Sequence, residues 1–328
     1  MVESEISLDQ VSNNLITYLR SELNDAKISY DVPLTPITGG YDTLIYHFKL
    51  RGIQGELSKP LVLRLFRDFH DPDRATSESA VQNALANQGY PVPKVYFTCT
   101  NESYLGNAFL IMKFLAGENI WVAMGEEMPK ILGTLHAKLH LMDPVPLLNT
   151  LKVEDVSEQC YQFNERFNKL IDKSKDFPWL QESVDWLIEN RPPEPERLSI
   201  CHGDFHPHNI LVKDGKVTAV LDWPGFLIGD SILDVASTVV LCIIGFKHIL
   251  LPTSQSAKWE EIIARYLEAY QSVRCFDLEY LDYYLVLRCV IALVNGAKGQ
   301  EVWRDHAISK SLTRMVFDVT KIRILPYN

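Results

Sequence analysis

The sequence His202-Gly203-Asp204-Phe205-His206-Pro207-His208-Asn209 lies near the middle of the chain, and Val220-Leu221-Asp222-Trp223 follows it after a short turn. Together they supply an aspartate, an asparagine and a second aspartate. Phosphoryl transfer needs a carboxylate that receives the proton of the acceptor hydroxyl, and oxygen ligands that hold magnesium on the nucleotide phosphates. Asp204 fits the first role. Asn209 and Asp222 fit the second, because Mg²⁺ prefers carboxylate and amide oxygens.

Two other interpretations of this loop are possible. It could be an ordinary polar surface turn, or His202, His206 and His208 could form a zinc cluster. The zinc interpretation is disfavoured because no cysteine or further carboxylate completes a convincing ligand set. We therefore interpret His202 as a residue that orients the loop through a hydrogen bond, and His206 and His208 as residues that pack within it.

Composition limits the class of protein. The chain has 328 residues and a net charge of −10, which argues against a broad nucleic-acid-binding surface and modestly favours a cationic or neutral substrate. Six scattered cysteines without a Cys-x-x-Cys pair are typical of reduced thiols. The most apolar run, Val235–Phe246, has 12 residues, whereas a membrane span needs about 20. These features, with an acidic N-terminus that lacks an apolar signal core, predict a cytoplasmic protein that does not enter the membrane.

The N-terminal part of the chain predicts a small α+β lobe. An amphipathic helix is expected over 7–24, with Ser7 as its N-cap, and a second helix over 73–88. Short runs rich in β-branched and aromatic residues predict strands. These strands are Ser29–Pro33, Leu44–Leu50, Leu61–Phe66, Lys94–Thr98 and Phe109–Phe114.

Beyond Gly117 the pattern becomes mainly helical. Helices are predicted at Pro129–Met142, 156–190, 231–250, 257–273, 277–297 and 300–318. Short strands are predicted only at Leu198–Cys201, Ile210–Val212 and Val217–Leu221. This change of texture predicts two domains, one over 1–115 and one over 116–328.

A charged pair is predicted within the N-terminal lobe. Arg64 lies in an otherwise apolar strand, and a cation in a buried strand needs a partner. Glu78 shares a helix face with apolar Val81 and Leu85, so its carboxylate should point inward. The sequence therefore predicts that Arg64 pairs with Glu78. The pair could be purely structural, or it could hold nucleotide phosphates as the strand lysine and helix glutamate of kinases do.

The motifs His-Gly-Asp-x-x-x-x-Asn, Leu-Asp-Trp and Gly229-Asp230-x-x-x-Asp234 together resemble the aminoglycoside phosphotransferase family, which includes choline, homoserine and methylthioribose kinases. The resemblance extends from about Ile37 to Ala236. It implies an α+β, protein-kinase-like two-lobed fold, with a small β-rich N-terminal lobe and a mainly helical C-terminal lobe. It also implies transfer of the γ-phosphate of ATP, with Mg²⁺, to a hydroxyl of a small molecule; GTP is left open as the donor.

The resemblance also implies roles for individual residues. Asp204 would be the catalytic base, Asn209 and Asp222 the metal ligands, and Asp234 the buried aspartate that braces the loop. Arg64 stands where many relatives carry lysine. The remaining nucleotide-binding positions would contribute backbone groups, and they are Gly39, Gly40, Lys113 and Leu115.

The acceptor is less well defined than the reaction. Methylthioribose and choline kinases carry a second acid two residues after the metal aspartate, whereas this chain has Pro224 there, which disfavours both substrates. Acidic and aromatic residues of the helical lobe are candidates for the acceptor site: Glu158, Asp176, Trp179, Asp185, Trp186 and Trp303. His136 and His140 have the i, i+4 spacing of a metal pair, but no glutamate follows His136, so structural roles are favoured.

Two further functions are considered. A nucleotide-binding pseudoenzyme or scaffold could share this fold, although the intact Asp204, Asn209 and Asp222 argue against it. A protein kinase is less favoured, because the chain lacks a Gly-x-Gly-x-x-Gly loop, an Asp-Phe-Gly motif and an Ala-Pro-Glu motif.

Overall fold

A computed structural model of the chain describes residues 7–37, 43–67, 73–246, 257–275 and 278–324. The chain forms two compact units. The first comprises Met1–Gly117, Leu147–Val156 and Lys216–Leu221, and the second comprises Glu118–Pro146, Ser157–Gly215 and Asp222–Asn328.

The strands fall into one larger and several smaller groups. In chain order they are β1 (Ser29–Pro36), β2 (Thr43–Arg51), β3 (Leu61–Phe66), β4 (Val95–Cys99), β5 (Phe109–Lys113), β6 (Glu118–Asn119), β7 (Ser199–Cys201), β8 (Ile210–Lys213), β9 (Lys216–Val220) and β10 (Leu227–Gly229). The first five form an antiparallel sheet in the order β1-β2-β3-β5-β4. In the second unit β7 pairs with β10, and β6 with β8.

Most of the α-helices belong to the second unit. In chain order the α-helices are α1 (Leu8–Glu22), α2 (Arg74–Asn87), α3 (Ile120–Met124), α4 (Met128–His140), α5 (Val145–Val153), α6 (Phe163–Ser174), α7 (Gln181–Glu189), α8 (Ser231–Val240), α9 (Ala257–Val273), α10 (Leu281–Ala297), α11 (Glu301–Arg304) and α12 (His306–Thr320). Of these, α1 and α2 lie wholly in the first unit. The predicted α+β fold with a β-rich N-terminal part and a mainly helical remainder is confirmed. No helix in the described ranges is long and apolar enough to cross a membrane.

The first unit closes around the sheet and α1. Ser7 accepts a hydrogen bond from the Gln10 N–H and caps α1, as predicted. The buried face of α1 packs its apolar side chains against the sheet. Tyr18 sits at the centre of this contact, with its ring edge-on to Phe109 at 5.0 Å and to Tyr104 at 4.9 Å. The sheet is therefore covered on one face by a helix that the sequence located correctly.

Several long helices of the sequence prediction are interrupted. The expected helix over 156–190 is split into α6 and α7, with a 3-10 turn at Pro178–Leu180 between them. The expected helix over 300–318 breaks at Asp305, whose side chain accepts the N–H groups of Ala307 and Ile308 and caps α12. In the expected helix over 231–250, the α-helical part ends at Val240. A π-helical segment, Leu241–Phe246, follows it. The short elements α3, α5, β6 and β10 were not predicted, because their periodic patterns are too brief to register.

A glycine sets how closely α4 and α9 approach. A Cβ atom on Gly133 would lie 2.2 Å from the carbonyl oxygen of Tyr266 and 2.9 Å from the backbone nitrogen of Tyr270. These contacts are with backbone and cannot be relieved by rotating a side chain. The two helices therefore pack backbone to backbone at this point, and only glycine fits between them.

Replacing Gly133 with alanine is expected to lower the free energy of unfolding by about 1–3 kcal/mol, because the added methyl group must push α9 away from α4. Urea unfolding followed by circular dichroism would measure the change. Gly245→Ala is the matched control, since a Cβ atom there meets nothing within 4 Å. Equal stability of the Gly133→Ala variant and the wild type would contradict the close-packing argument.

Candidate active site

The loop that the sequence singled out connects β7 to β8. Buried β7 ends at Cys201, and Pro207–Asn209 forms a 3-10 turn that leads directly into β8. His202 is fully buried, whereas the side chain of Asp204 is 36% exposed. The two ends of the loop are thus fixed by strands while its central carboxylate stays accessible.

Asp204 is held by two side chains of its own loop. His206 Nε2 lies 3.2 Å from Asp204 Oδ2, and Asn209 Nδ2 donates to the Asp204 carbonyl oxygen at 3.0 Å. Asn209 Nδ2 also lies 3.4 Å from Asp204 Oδ2. Burial raises the pKa of Asp204, but the hydrogen bond from His206 and the surrounding positive charge, Arg288 included, outweigh it, so the pKa lies below its ordinary value. The carboxylate is therefore ionised at neutral pH.

Asp234, at the start of α8, accepts hydrogen bonds from the loop backbone. Its Oδ2 accepts the His202 N–H at 2.6 Å, and its Oδ1 accepts the Gly203 N–H at 2.8 Å. His202 in turn accepts the Asp204 N–H on its Nδ1 at 3.2 Å, which requires Nδ1 to be unprotonated. The expected hydrogen bond of His202 to the loop is present. Three consecutive amide groups are thus fixed by buried acceptors.

A buried shell of histidines and tyrosines surrounds Asp234. Its Oδ2 also receives His136 Nε2 at 2.9 Å and His140 Nε2 at 3.2 Å, both from α4. On the far side of each ring, Tyr266 hydroxyl lies 2.8 Å from His136 Nδ1, and Tyr270 hydroxyl lies 2.7 Å from His140 Nδ1. Because an ionised carboxylate only accepts, each Nε2 must carry the hydrogen. Two parallel tyrosine–histidine chains therefore end on one carboxylate.

The protonation of this shell is set by burial. Burial, with the neighbouring His136, lowers the pKa of His140 to about 3. Burial would raise the pKa of Asp234, but its contacts with His136 and His140 hold it well below its usual range. His136, His140 and Asp234 bring ligand-type atoms within 4.8 Å of one another, yet they contact each other at hydrogen-bond distances. This geometry accounts for both histidines without a metal ion, in agreement with the structural roles favoured by the sequence.

The second motif aspartate lies in strained backbone. Asp222 follows β9 with φ of 67°, in the left-handed region that few non-glycine residues adopt. Strain of this kind is concentrated at functional sites, although it does not define one by itself. The turn beyond Asp222 approaches the loop that contains Asp204 closely, because a Cβ atom on Gly203 would lie 2.2 Å from the Gly225 carbonyl oxygen. Gly203 has φ of 79°, so both space and conformation require glycine there.

Arg166, on α6, holds this turn in place. Its guanidinium donates to the carbonyl oxygens of Gly225 and Phe226, each at 2.8 Å, and to that of Cys160. Three carbonyl oxygens from two chain segments thus share one cation. The sequence gave no signal for this role, because Arg166 lies about 60 residues from the turn that it binds.

The predicted pairing of Arg64 with Glu78 is present in the first unit. Arg64 Nη1 lies 2.6 Å from Glu78 Oε2, and Glu78 is fully buried. Arg74 adds a second cation, with its Nε 3.0 Å from Glu78 Oε1. Both guanidinium groups lie over the ring of Phe66, at 5.5 and 5.1 Å from its centroid. The i, i+4 spacing of Arg74 and Glu78 is a signal that sequence reasoning missed.

The other predicted nucleotide-binding positions differ in their surroundings. Gly39 and Gly40 lie outside the described residues. Lys113 ends β5 and donates its N–H to the Lys94 carbonyl oxygen at 2.9 Å. Leu115, two residues further on, is partly buried and outside any helix or strand.

The candidate acceptor residues from the sequence do not form one group of contacts. Trp303 is buried and lies beneath the guanidinium of Arg288, whereas Trp179 and Trp186 pack against the apolar core of the second unit. The acidic candidates Glu158, Asp176 and Asp185 are exposed. Of the six, Trp303 therefore has the most distinctive environment.

Comparison with known proteins identifies the family. The model of the phosphotransferase enzyme family matches residues 33–284, and the chain therefore belongs to this family. Among curated proteins, acyl-CoA dehydrogenase family member 11 of Pongo abelii is 28% identical over 181 residues, which are 51% of this chain and 22% of that protein. The chain thus matches less than a quarter of that relative's length. Hygromycin-B 4-O-kinase of Escherichia coli is 42% identical over 43 residues, 13% of each chain.

Solved structures show the same fold. A proposed aminoglycoside phosphotransferase from Ralstonia eutropha is 19% identical with a TM-score of 0.65, over 94% of this chain and 98% of that one. A thermostable mutant of aminoglycoside phosphotransferase APH(4)-Ia, solved with ADP and hygromycin B, is 17% identical with a TM-score of 0.59, over 91% and 97% of the two chains. At these identities the likeness establishes the fold alone.

The buried histidine predicts a pH-dependent stability. Because the folded pKa of His140 is about 3 and its ordinary value 6.5, the unfolded chain binds more protons between these two values. Stability should therefore be complete above pH 6.5 and fall as the pH decreases below it, with His140 contributing about 1.4 kcal/mol per pH unit.

Urea unfolding at pH 7, 6 and 5 would measure this dependence for the wild type and for His140→Gln. The stability difference between the two proteins should shrink as the pH falls, because the glutamine cannot be protonated. His306→Gln, at an exposed position, serves as the control. A difference that is independent of pH would show that folding does not change the pKa of His140 and would contradict the prediction.

Proposed function

We propose that this protein is an ATP- and Mg²⁺-dependent phosphotransferase that moves the γ-phosphate to a hydroxyl of a small molecule. The observation that carries the proposal is the accessible, ionised carboxylate of Asp204 on a loop whose backbone is fixed from below by Asp234. Membership of the phosphotransferase enzyme family supports it. The named reactions of its relatives, hygromycin-B 4-O-kinase and macrolide 2'-phosphotransferase, support a small-molecule alcohol as the acceptor.

Asp204 would act as the base. Its Oδ2 contacts His206 and Asn209, whereas its Oδ1 has no hydrogen-bond partner among the residues described, which leaves Oδ1 for the acceptor hydroxyl. The bond between the γ-phosphorus and the ADP oxygen breaks as the hydroxyl oxygen bonds to phosphorus, and the hydroxyl proton passes to Asp204. A carboxylate with a lowered pKa mainly orients the nucleophile and takes the proton late in the transfer.

Asn209 and Asp222 fit a magnesium site. The amide nitrogen of Asn209 donates to Asp204, so its carbonyl oxygen is the atom left for a cation. Asp222 adds a carboxylate on a residue whose backbone lies in the left-handed region. Oxygen donors of these two kinds suit Mg²⁺, which when bound would neutralise charge on the nucleotide phosphates.

The nucleotide would be held by the first domain, proposed to span residues 1–115, and the acceptor by the second, 116–328. Arg64, oriented by Glu78, would bind the α- and β-phosphates, because guanidinium forks onto carboxylate and phosphate alike. Backbone groups at Gly39 and Gly40 would contact phosphate. Backbone groups at Lys113 and Leu115 would hold the adenine of ATP. Because the enzyme would need a supply of ATP, we propose a cytoplasmic location.

Asp204→Asn should lower the rate of phosphate transfer roughly 10²–10⁴-fold, because asparagine cannot accept the proton. Binding of Mg·ATP should persist, measured as a shift of the unfolding temperature. The exposed Asp172→Asn on α6 serves as the control with the same chemical change. Undiminished transfer by the Asp204→Asn variant, followed as ADP release, would disprove the base assignment. A wild-type protein that shows no thermal shift at millimolar Mg·ATP would favour the scaffold function instead.

Glu78→Gln should weaken nucleotide binding and lower stability together. The substitution leaves Arg64 and Arg74 close to each other without their shared carboxylate, and breaking a buried ion pair costs about 3–5 kcal/mol. We expect KM for ATP to rise, because Arg64 loses its orientation. Glu56→Gln, at an exposed ion pair of the same unit, is the control. An unchanged KM for ATP in a folded Glu78→Gln variant would indicate that the pair is purely structural.

A further inference from the structure

Arg288 is a cation in the helical core of the second unit. It lies on α10 and is partly exposed, whereas its neighbours Leu287 and Cys289 are fully buried. Its guanidinium carbon lies 5.0 Å from the centroid of the Trp303 ring. Contact with the face of an indole favours a cation and restricts the orientation of the guanidinium plane. The helix and the tryptophan thus fix a positive group at the boundary between core and solvent.

Arg288 makes no hydrogen bond or ion pair with any residue in the described part of the chain. The carboxylate that acts on it electrostatically is Asp204, and the effect is mutual: Arg288 lowers the pKa of Asp204. The two groups nevertheless lie beyond ion-pair distance. Arg288 thus acts on the charge of Asp204 but makes no polar contact with it, whereas a partly buried charge normally has a hydrogen-bonded partner.

We infer that Arg288 binds an oxyanion of the acceptor, a carboxylate or a phosphate, and so places the acceptor hydroxyl at Asp204. The inference rests on the proposed function and narrows its substrate class to alcohols that carry an anionic group. The fork of a guanidinium matches both oxyanions in a bidentate manner, and its contact with the buried Trp303 ring restricts the direction in which that fork points. The net charge of −10 favoured a cationic or neutral acceptor, but the local charge beside Asp204 has the opposite sign.

The test compares matched acceptors. Full-length wild type, Arg288→Gln and Arg288→Lys are assayed for ADP release with Mg·ATP and short-chain hydroxycarboxylates, each paired with the corresponding hydroxyamide. A second arm pairs hydroxyalkyl phosphates with the parent diols and so distinguishes phosphate from carboxylate. The neutral member of each pair reports the effect of Arg288 on Asp204 itself. Arg304→Gln, an exposed arginine on α11, controls for the loss of one positive charge.

The wild type should favour the anionic member of at least one pair. Arg288→Gln should reduce kcat/KM for that member by about 10- to 100-fold, mainly through KM, and reduce it by a smaller factor for the neutral member, which loses only the effect of Arg288 on Asp204. Arg288→Lys should keep part of the preference, because it retains the charge without the fork. Equal losses for both members would overturn the inference, since they would make Arg288 a structural or nucleotide-binding residue.

Binding measurements separate this inference from the proposed function. Calorimetry with the hydroxycarboxylates, the hydroxyalkyl phosphates and their neutral partners, in the presence of Mg·ADP, reports recognition of the acceptor without turnover. Anion binding that is lost in a folded Arg288→Gln protein supports the inference even if no panel alcohol is phosphorylated. Transfer to neutral or cationic alcohols alone, sensitive to Asp204→Asn, would overturn the role of Arg288 and leave the phosphotransferase proposal standing. The absence of both anion binding and anionic turnover overturns it as well.

Discussion

One buried carboxylate, that of Asp234, organises the candidate site. It accepts two backbone N–H groups from the loop and two imidazole groups from α4, and Asp234 and its three histidine donors are fully buried. A buried carboxylate is stable only if its acceptor capacity is filled, and a loop keeps one conformation only if its amide groups have fixed partners. The same contacts meet both requirements, so the loop conformation and the charge of the core depend on each other.

The contact between α4 and α9 extends this dependence into the scaffold. Gly133 lets the two helices meet backbone to backbone, and this spacing brings Tyr266 and Tyr270 to the histidines that hold Asp234. The geometry of the loop is therefore coupled to helix packing that contains no catalytic group.

The sequence predicted the parts of the site that are encoded locally. The strand Leu61–Phe66 was located to the residue, and the pairing of Arg64 with Glu78 followed from two apolar patterns whose charged members needed each other. Contacts that join distant segments left no such pattern. Arg166 binds carbonyl oxygens that any residue could supply, and the contact of Arg288 with Trp303 joins two helices whose packing only the tertiary structure defines.

Two backbone amides of the loop that contains Asp204 should be better protected from hydrogen exchange than its irregular conformation suggests. The amide hydrogens of His202 and Gly203 belong to no helix or strand ladder, yet both are donated to the buried carboxylate of Asp234. Their exchange with solvent deuterium requires separation of α8 from the loop, which is an opening of the core and not a local fluctuation. These two amides are therefore expected to exchange as slowly as those of the surrounding helices, and they report on the integrity of the site in the absence of any substrate.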